Sequence, residues 1–339
     1  MGSNRLRPKG RALAAATSLL VLSAVVAPPS VAAPPDRGDT TPADPVVSPE
    51  HPVADAVMGT RAGDQGGVAS ASDGDGFLVV WHDSRAGTVA TRVTAGGEIL
   101  DPGGIVIASG RNADPAVSWD GANYFVVWSQ TDFTRSSYQL LGARVTSEGT
   151  VLDPDPIPIA TSRHLTSPAV AFNGTHHLVA WSGSDSRSAD VGAVRVDTAG
   201  TVVDEQPISV AARPYGESDP AVASDGRDFL VTWTDSRSGS DQPDVFGARV
   251  SAAGEVLDGE GLAIASAPSV QQHSAVAWDG DHYLVAWSDL RNGEHADVFA
   301  ARVSAAGAIE GSELTVAAGT AHDRSPSVAR SAAGAYVVW

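Results

Sequence analysis

Residues 219–265 read DPAVASDGRDFLVTWTDSRSGSDQPDVFGARVSAAGEVLDGEGLAIA. Asp219 to Ala223 is a short apolar strand, a. The Asp225-Gly226 pair that follows, set between apolar runs, is a hairpin signal. Phe229 to Trp233 is strand b, trailed by the polar loop TDSRSGSDQPD. Val245 to Val250 is strand c, closed by a tight turn in which Gly254 is placed to take positive φ. Leu262 to Ala265 is strand d. Strand b is apolar at nearly every position, as a strand buried on both faces reads.

The unit repeats. Trp81, Trp128, Trp181, Trp233, Trp287 and Trp339 end the runs FLVVW, YFVVW, HLVAW, FLVTW, YLVAW and AYVVW, about 52 residues apart. Repeats start near 66, 114, 167, 219, 273 and 325. A fixed period of this length marks a repeat architecture. Four short antiparallel strands per period predict an all-β propeller of about six four-stranded blades. A β-solenoid is the alternative; an immunoglobulin-like array needs about 100 residues per domain and is excluded. Five repeats are complete, and the sixth stops at Trp339 after strand b. Residues 53–58, VADAVM, stand where a d strand belongs. The expectation is either a chain that continues past Trp339 or a ring closed by a three-stranded blade.

The N-terminal 32 residues read as a secretory signal peptide. Arg5, Arg7, Lys9 and Arg11 precede the apolar run 12–27, and Ser30-Val31-Ala32 offers a cleavage point. The run is short for a membrane span, which needs about 20 apolar residues. Residues 33–52, rich in Pro, Asp and Thr, read as a disordered linker that includes Arg37-Gly38-Asp39. Residues 53–339 form the propeller. With no Cys there can be no disulfide and no lipidated N-terminal cysteine. Removing the leader takes four of the 22 basic residues and none of the 40 acidic ones, a balance near −22. Such a surface repels nucleic acid and anionic membranes. The expectation is a secreted, extracellular chain without membrane insertion after cleavage, monomeric if the ring closes, with a glycan or protein ligand.

Trp-x-Asp-x-Arg, Asp-Val-Phe-Gly-Ala-Arg-Val and Ser-Ala-Ala-Gly-Glu-Val-Leu-Asp together resemble repeats in large secreted bacterial proteins of mostly unknown function. The resemblance covers 53–339. It implies a propeller and a secreted or surface location, and it brings no catalytic residue.

Residues that recur around the ring read as scaffold. Besides the tryptophans these are Asp83, Asp235 and Asp289, expected to accept hydrogen bonds from loop amides or Arg. Repeat three carries the element displaced, as Asp185-Ser186-Arg187, and repeat two has Gln130 in place of Asp. Arg92, Arg144, Arg195, Arg249 and Arg302 end the c strands, expected to pair with those aspartates or to pack their stems on neighbours. Asp73-Gly74-Asp75-Gly76 reads as a hairpin turn, since an EF-hand needs more oxygen ligands and a distal Glu. No cofactor is implied beyond weak calcium binding by acidic loops. His177 stands where other b strands carry Tyr or Phe, and reads as a packing substitution. Asn173-Gly174-Thr175 is a formal sequon inside a turn. No nucleophile elbow, P-loop, dinucleotide fingerprint, zinc spacing or sialidase-type Asp box is present.

Ligand contacts are therefore sought where the repeats vary, in the long b–c and d–a loops at one end of the blades. The candidates are Phe133, Arg135 and Tyr138 in one b–c loop, and Arg111, His164, Arg213, Tyr215, Glu217, His273 and His322 in d–a loops. Aromatic, Arg and Glu side chains suit a glycan or peptide. Non-catalytic binding or scaffolding is the leading reading. An extracellular glycan hydrolase, which needs two converging carboxylates, or an accessory propeller of a longer enzyme, is the alternative.

Overall fold

The computed structural model describes residues 64–339 except 133–136, 185–188, 294, 320–321 and 332–333. The leader, the linker, the 53–58 segment, Phe133, Arg135 and Asp185-Ser186-Arg187 lie outside the described residues.

The fold is a β-propeller, with no helix among the described residues. Blade 1 comprises β1 (Gln65–Ser72), β2 (Gly76–Asp83), β3 (Gly87–Thr94) and β4 (Ile105–Ala108). Blade 2 comprises β5 (Asn112–Trp119), β6 (Asn123–Asp132), β7 (Ser137–Thr146) and β8 (Ile157–Ser162). Blade 3 is β9 (His164–Phe172), β10 (His176–Ser184), β11 (Asp190–Asp197) and β12 (Ile208–Ala211). Blade 4 is β13 (Glu217–Ser224), β14 (Phe229–Asp235), β15 (Asp244–Val250) and β16 (Leu262–Ala265). Blade 5 is β17 (Gln271–Trp278), β18 (His282–Asp289), β19 (Asp297–Ser304) and β20 (Ile309–Ala317). A sixth sheet holds β21 (Ser327–Ser331) and β22 (Gly334–Val338). Each sheet is an antiparallel meander in chain order. The first strands pack in succession, β1 on β5, β5 on β9, β9 on β13, β13 on β17 and β17 on β21, and so line the axis.

Packing explains why strand b is apolar throughout. In β6, Tyr124, Val126 and Trp128 face blade 1, while Phe125 and Val127 face blade 3. In β14, Phe229, Val231 and Trp233 face blade 3, and Leu230 faces blade 5. Both faces of a central blade meet a neighbour, so the two-residue alternation of a half-buried strand disappears. Trp339 departs from the scaffold expectation. It is 36% exposed, because β22 pairs only with β21 among the described residues. β1 and β21 are likewise exposed at most positions.

The c-strand arginines do not pair with the Trp-x-Asp-x-Arg aspartates. Arg92, Arg144, Arg195 and Arg249 instead make forked ion pairs with Asp101, Asp153, Asp204 and Asp258, each nine residues on. The c–d turn folds that aspartate back under its arginine, a planar match of guanidinium and carboxylate. Three of the arginines also donate to the next blade's c–d turn, Arg144 to Thr198, Arg195 to Ala252 and Arg249 to Ala305. The turn glycines Gly149, Gly200, Gly254 and Gly307 have positive φ and lie against the preceding blade, where a Cβ would crowd its Arg at Gly254 and Gly307, Ile105 and Arg92 at Gly149, and Ile157 at Gly200. At Arg302 the ninth residue is Gly311, and the aspartate is missing.

The Trp-x-Asp-x-Arg element closes on itself in blades 4 and 5. The indole N–H of Trp233 donates to Asp235 at 2.9 Å and that of Trp287 to Asp289 at 3.0 Å. Arg237 and Arg291 pair with those carboxylates and lie over the Phe246 and Phe299 rings. Asp83 accepts from the amides of Arg85 and Ala86. In blade 2 Gln130 bonds Asn112 instead, and the buried Trp128 indole N–H has no hydrogen-bond partner among the described residues.

Candidate functional site

Every blade carries the same irregularity at the start of its first strand or, in the sixth sheet, just before it. One residue takes positive φ there: Gly67 at 59°, Asp114 at 49°, Ser167 at 51°, Asp219 at 50°, His273 at 53° and Ser325 at 54°. In blades 1 to 5 the pairing with strand b slips across it, between Gly66 and Ala69, Ala113 and Ala116, Thr166 and Ala169, Ser218 and Ala221, and Gln272 and Ala275. Proline follows in four cases, Pro115, Pro168, Pro220 and Pro326. Proline has no N–H for the ladder, so it sits where a bulge interrupts pairing. In blades 3, 4 and 5 the hydroxyl after the repeat tryptophan braces the next blade. Ser182 donates to the Glu217 carbonyl, Thr234 accepts from His273 N–H, and Ser288 accepts from Ser325 N–H.

The bulge re-aims one side chain per blade on the axis-lining strand, and its identity varies around the ring. Three of these side chains meet across blades 3 to 5. Ser167 Oγ donates to Asp219 Oδ1 at 3.1 Å, and His273 Nε2 lies 3.9 Å from Asp219 Oδ2. Ser218 Oγ also donates to Asp219 at 3.3 Å. His273 and Asp219 remain well exposed, so a ligand can reach them. Ser167 contacts the carboxylate and not the imidazole, so the three groups are not ordered as a serine–histidine–aspartate relay.

Four residues expected in loops belong to strands. Tyr138 is the second residue of β7, His164 starts β9, Glu217 starts β13, and His273 lies within β17. The bulge lets each first strand begin about two residues before the apolar run. Tyr138 stacks on His164 at 6.1 Å, bringing together blades 2 and 3, and the Arg111 carbonyl accepts from Thr131, the residue paired with Tyr138. His322 packs edge-on against His295 at 4.7 Å, apart from the other candidates. Arg213 and Tyr215 do occupy the β12–β13 loop.

Glu217 is not a surface contact: it is 1% exposed. Oε1 accepts from Arg213 N–H at 3.0 Å, and Oε2 has no hydrogen-bond partner among the described residues. Its cross-strand partner is Asp235. Burial first, then the Asp235 charge, push its pKa up to about 7. Burial also works on Asp235, but the Arg237 and Trp233 hydrogen bonds outweigh it and hold Asp235 below the usual range.

A second buried cluster joins blades 2 and 3. His177 Nδ1 lies 2.9 Å from Ser118 Oγ, and Nε2 lies 3.8 Å from Asp120 Oδ2. The imidazole is held between Phe125 and Phe172, each 4.8 Å away. Burial lowers its pKa to about 4, against the pull of Asp120. Ser118 replaces the Ala found at this position in the other complete repeats, so the two departures form one pair. The serine, histidine and aspartate side chains here are buried, and the cluster binds blade to blade. Among the described residues no group of three or more His, Asp or Glu converges to hold a metal ion. Asp73 Oδ1 instead caps its own turn through the Asp75 and Gly76 amides.

The axial residues Asp114, Ser167, Asp219 and Ser325 were not singled out from sequence. The available signal was the residue-Pro step that recurs ahead of four of the apolar runs, which reads as punctuation until pairing shows a bulge.

No family model and no curated protein matches this chain. Among solved structures, a thermostable family-43 glycoside hydrolase aligns at 11% identity over 79% of this chain and 98% of its own, with a TM-score of 0.48. The GH43 endo-arabinanase of Bacillus licheniformis aligns at 12% identity over 72% and 96%, with a TM-score of 0.43. Xylan β-1,4-xylosidase of Bacillus halodurans C-125 aligns at 12% over 73% and 55%, with a TM-score of 0.46.

Proposed function

We propose that the protein is a secreted binding propeller whose ligand is a hydroxyl-rich molecule held at the axial mouth on the long-loop end. The observation that carries this reading is the set of axial bulges. The repeat holds one re-aimed backbone position per blade, while the side chain there changes from Gly67 to Asp114, Ser167, Asp219, His273 and Ser325. A constant backbone with variable, exposed polar side chains is how a rigid scaffold carries a recognition site. Carboxylate, hydroxyl and imidazole groups pair with sugar hydroxyls, and the leader delivers the protein to where such polymers occur.

Hydrolysis is the second reading, favoured by Glu217, whose raised pKa is what a general acid needs. Against it, Glu217 is buried against Asp235 and bonded to the Arg213 amide, two residues from the exposed Asp219. A glycosidase must present both carboxylates to one bond. Titrating soluble xylan, arabinan, glucan and chitooligosaccharide while assaying new reducing ends separates the readings. Binding without new ends, weakened at least tenfold in Asp219→Ala, supports recognition. New reducing ends that vanish in Glu217→Gln replace it with hydrolysis.

A further inference from the structure

We infer that Tyr215 is the aromatic platform of this site, with the flat face of a sugar ring as its ligand; the inference rests on the binding reading above. Tyr215 stands two residues before β13, at φ 90° and directly after Pro214. Positive φ after proline is the second corner of a type II turn, where Gly or Asn is favoured. The same corner recurs two residues before β5 as Gly110 at 120° and two before β17 as Ser269 at 95°. Glycine takes this conformation without a Cβ penalty. Ser269 has a structural task there, donating from Oγ to the Leu290 carbonyl at 3.2 Å. A bulky side chain at positive φ is an outlier that costs stability.

Tyr215 returns nothing to the fold for that cost. It is 74% exposed, against at most 45% for any other exposed large hydrophobic residue among the described residues. Its hydroxyl makes no hydrogen bond among the described residues. A strained backbone holding an aromatic ring out in solvent is intelligible when the ring meets a ligand. The loop around it is fixed. Arg213 N–H bonds Glu217 Oε1, its guanidinium bonds the Gly259 carbonyl at 2.8 Å and Glu260 at 2.9 Å, and the Gly216 carbonyl accepts from Ser236. The Glu260 carboxylate is itself 90% exposed.

These parts match a carbohydrate. The C–H face of a sugar ring covers an aromatic face, while its hydroxyls meet an ion-paired guanidinium and carboxylate at the rim. Tyrosine supplies such contact area at small entropic cost because only two side-chain torsions are held. Asp219 follows Tyr215 by four residues on β13. The glycan therefore runs from the axial group outward over the β12–β13 loop.

The test compares wild type, Tyr215→Gly and Tyr215→Phe in the full chain. Affinity electrophoresis in xylan, arabinan, glucan and chitooligosaccharide is read beside the Tm. Tyr215→Gly should weaken binding at least tenfold without lowering the Tm, since glycine suits positive φ. Tyr215→Phe keeps the ring and should bind within about threefold of wild type, a change of about 0.6 kcal/mol. Equal binding by wild type and Tyr215→Gly overturns the platform while leaving the binding reading intact. Equal losses in both variants place recognition on the hydroxyl and overturn stacking. A lowered Tm in Tyr215→Gly makes the ring structural and also overturns it. Wild type that binds no glycan defeats the binding reading itself.

Discussion

Replacing Glu217 with Gln should stabilise the protein more as pH rises. Burial and the Asp235 charge lift the Glu217 pKa from 4.5 to about 7, so the folded state holds the proton more tightly than the unfolded chain. Below pH 4.5 both states are protonated, and the group imposes no penalty. Between pH 4.5 and about 7 the unfolded chain ionises first, and stability falls as pH rises. Above about 7 both are ionised and the loss levels off. At about 1.4 kcal/mol per pKa unit, the loss is about 1 kcal/mol near pH 5 and about 3 kcal/mol near pH 8. Gln does not titrate, and it already stands at this position as Gln65 and Gln271. In blade 1 its amide reaches Asp83 Oδ2 at 3.4 Å, the geometry by which Glu217→Gln would meet Asp235. Thermal unfolding of both proteins at the two pH values isolates the effect, because every other titrating group is shared. At about 2 °C per kcal/mol for a domain of this size, the Tm gap should widen by about 4 °C from pH 5 to pH 8. A gap that stays constant or narrows refutes the account of Glu217 as a buried, protonated carboxyl.

Asp153→Asn should cost about 1–2 kcal/mol at neutral pH, the range for a charge-assisted fork. The Arg144 hydrogen bond holds Asp153 below its ordinary 3.8, so that stability is present above this value and fades as pH falls through the lower folded pKa. Denaturant titrations at pH 7 and pH 3 check both halves. His177→Phe alone should strand the buried Ser118 hydroxyl and cost about 1 kcal/mol. Adding Ser118→Ala should recover it, with the coupling read from a double-mutant cycle. His177 is neutral in the fold down to about 4 but charges at 6.5 when unfolded. Wild-type stability should therefore drop between those values as pH falls, and the double variant should lack that component. Trp233→Ala should cost about 3–5 kcal/mol, as a buried indole between blades, whereas Trp339→Ala should cost under about 1 kcal/mol. Similar losses at the two positions would remove the packing argument.

The sequence alone settled the blade. Strand order, strand ends within a few residues, and the b strand's burial on both faces follow from local chemistry. Turn glycines and apolar runs act over a few residues and repeat every 52 or so, so each repeat corroborates the others. Partners remote in the chain were not legible. The aspartate for Arg195 is nine residues on, across a turn, while Trp-x-Asp-x-Arg supplied a more conspicuous wrong one. Ser118 and His177 look unrelated at 59 residues' separation until two blades pack face to face. Glu217 reads as an exposed loop carboxyl, and only the start of β13 beside Asp235 turns it into a buried one that keeps its proton. The axial group of Ser167, Asp219 and His273 comes from three blades. Sequence periodicity reports what recurs within a repeat; which unique side chains converge is decided by the rotation that relates one blade to the next.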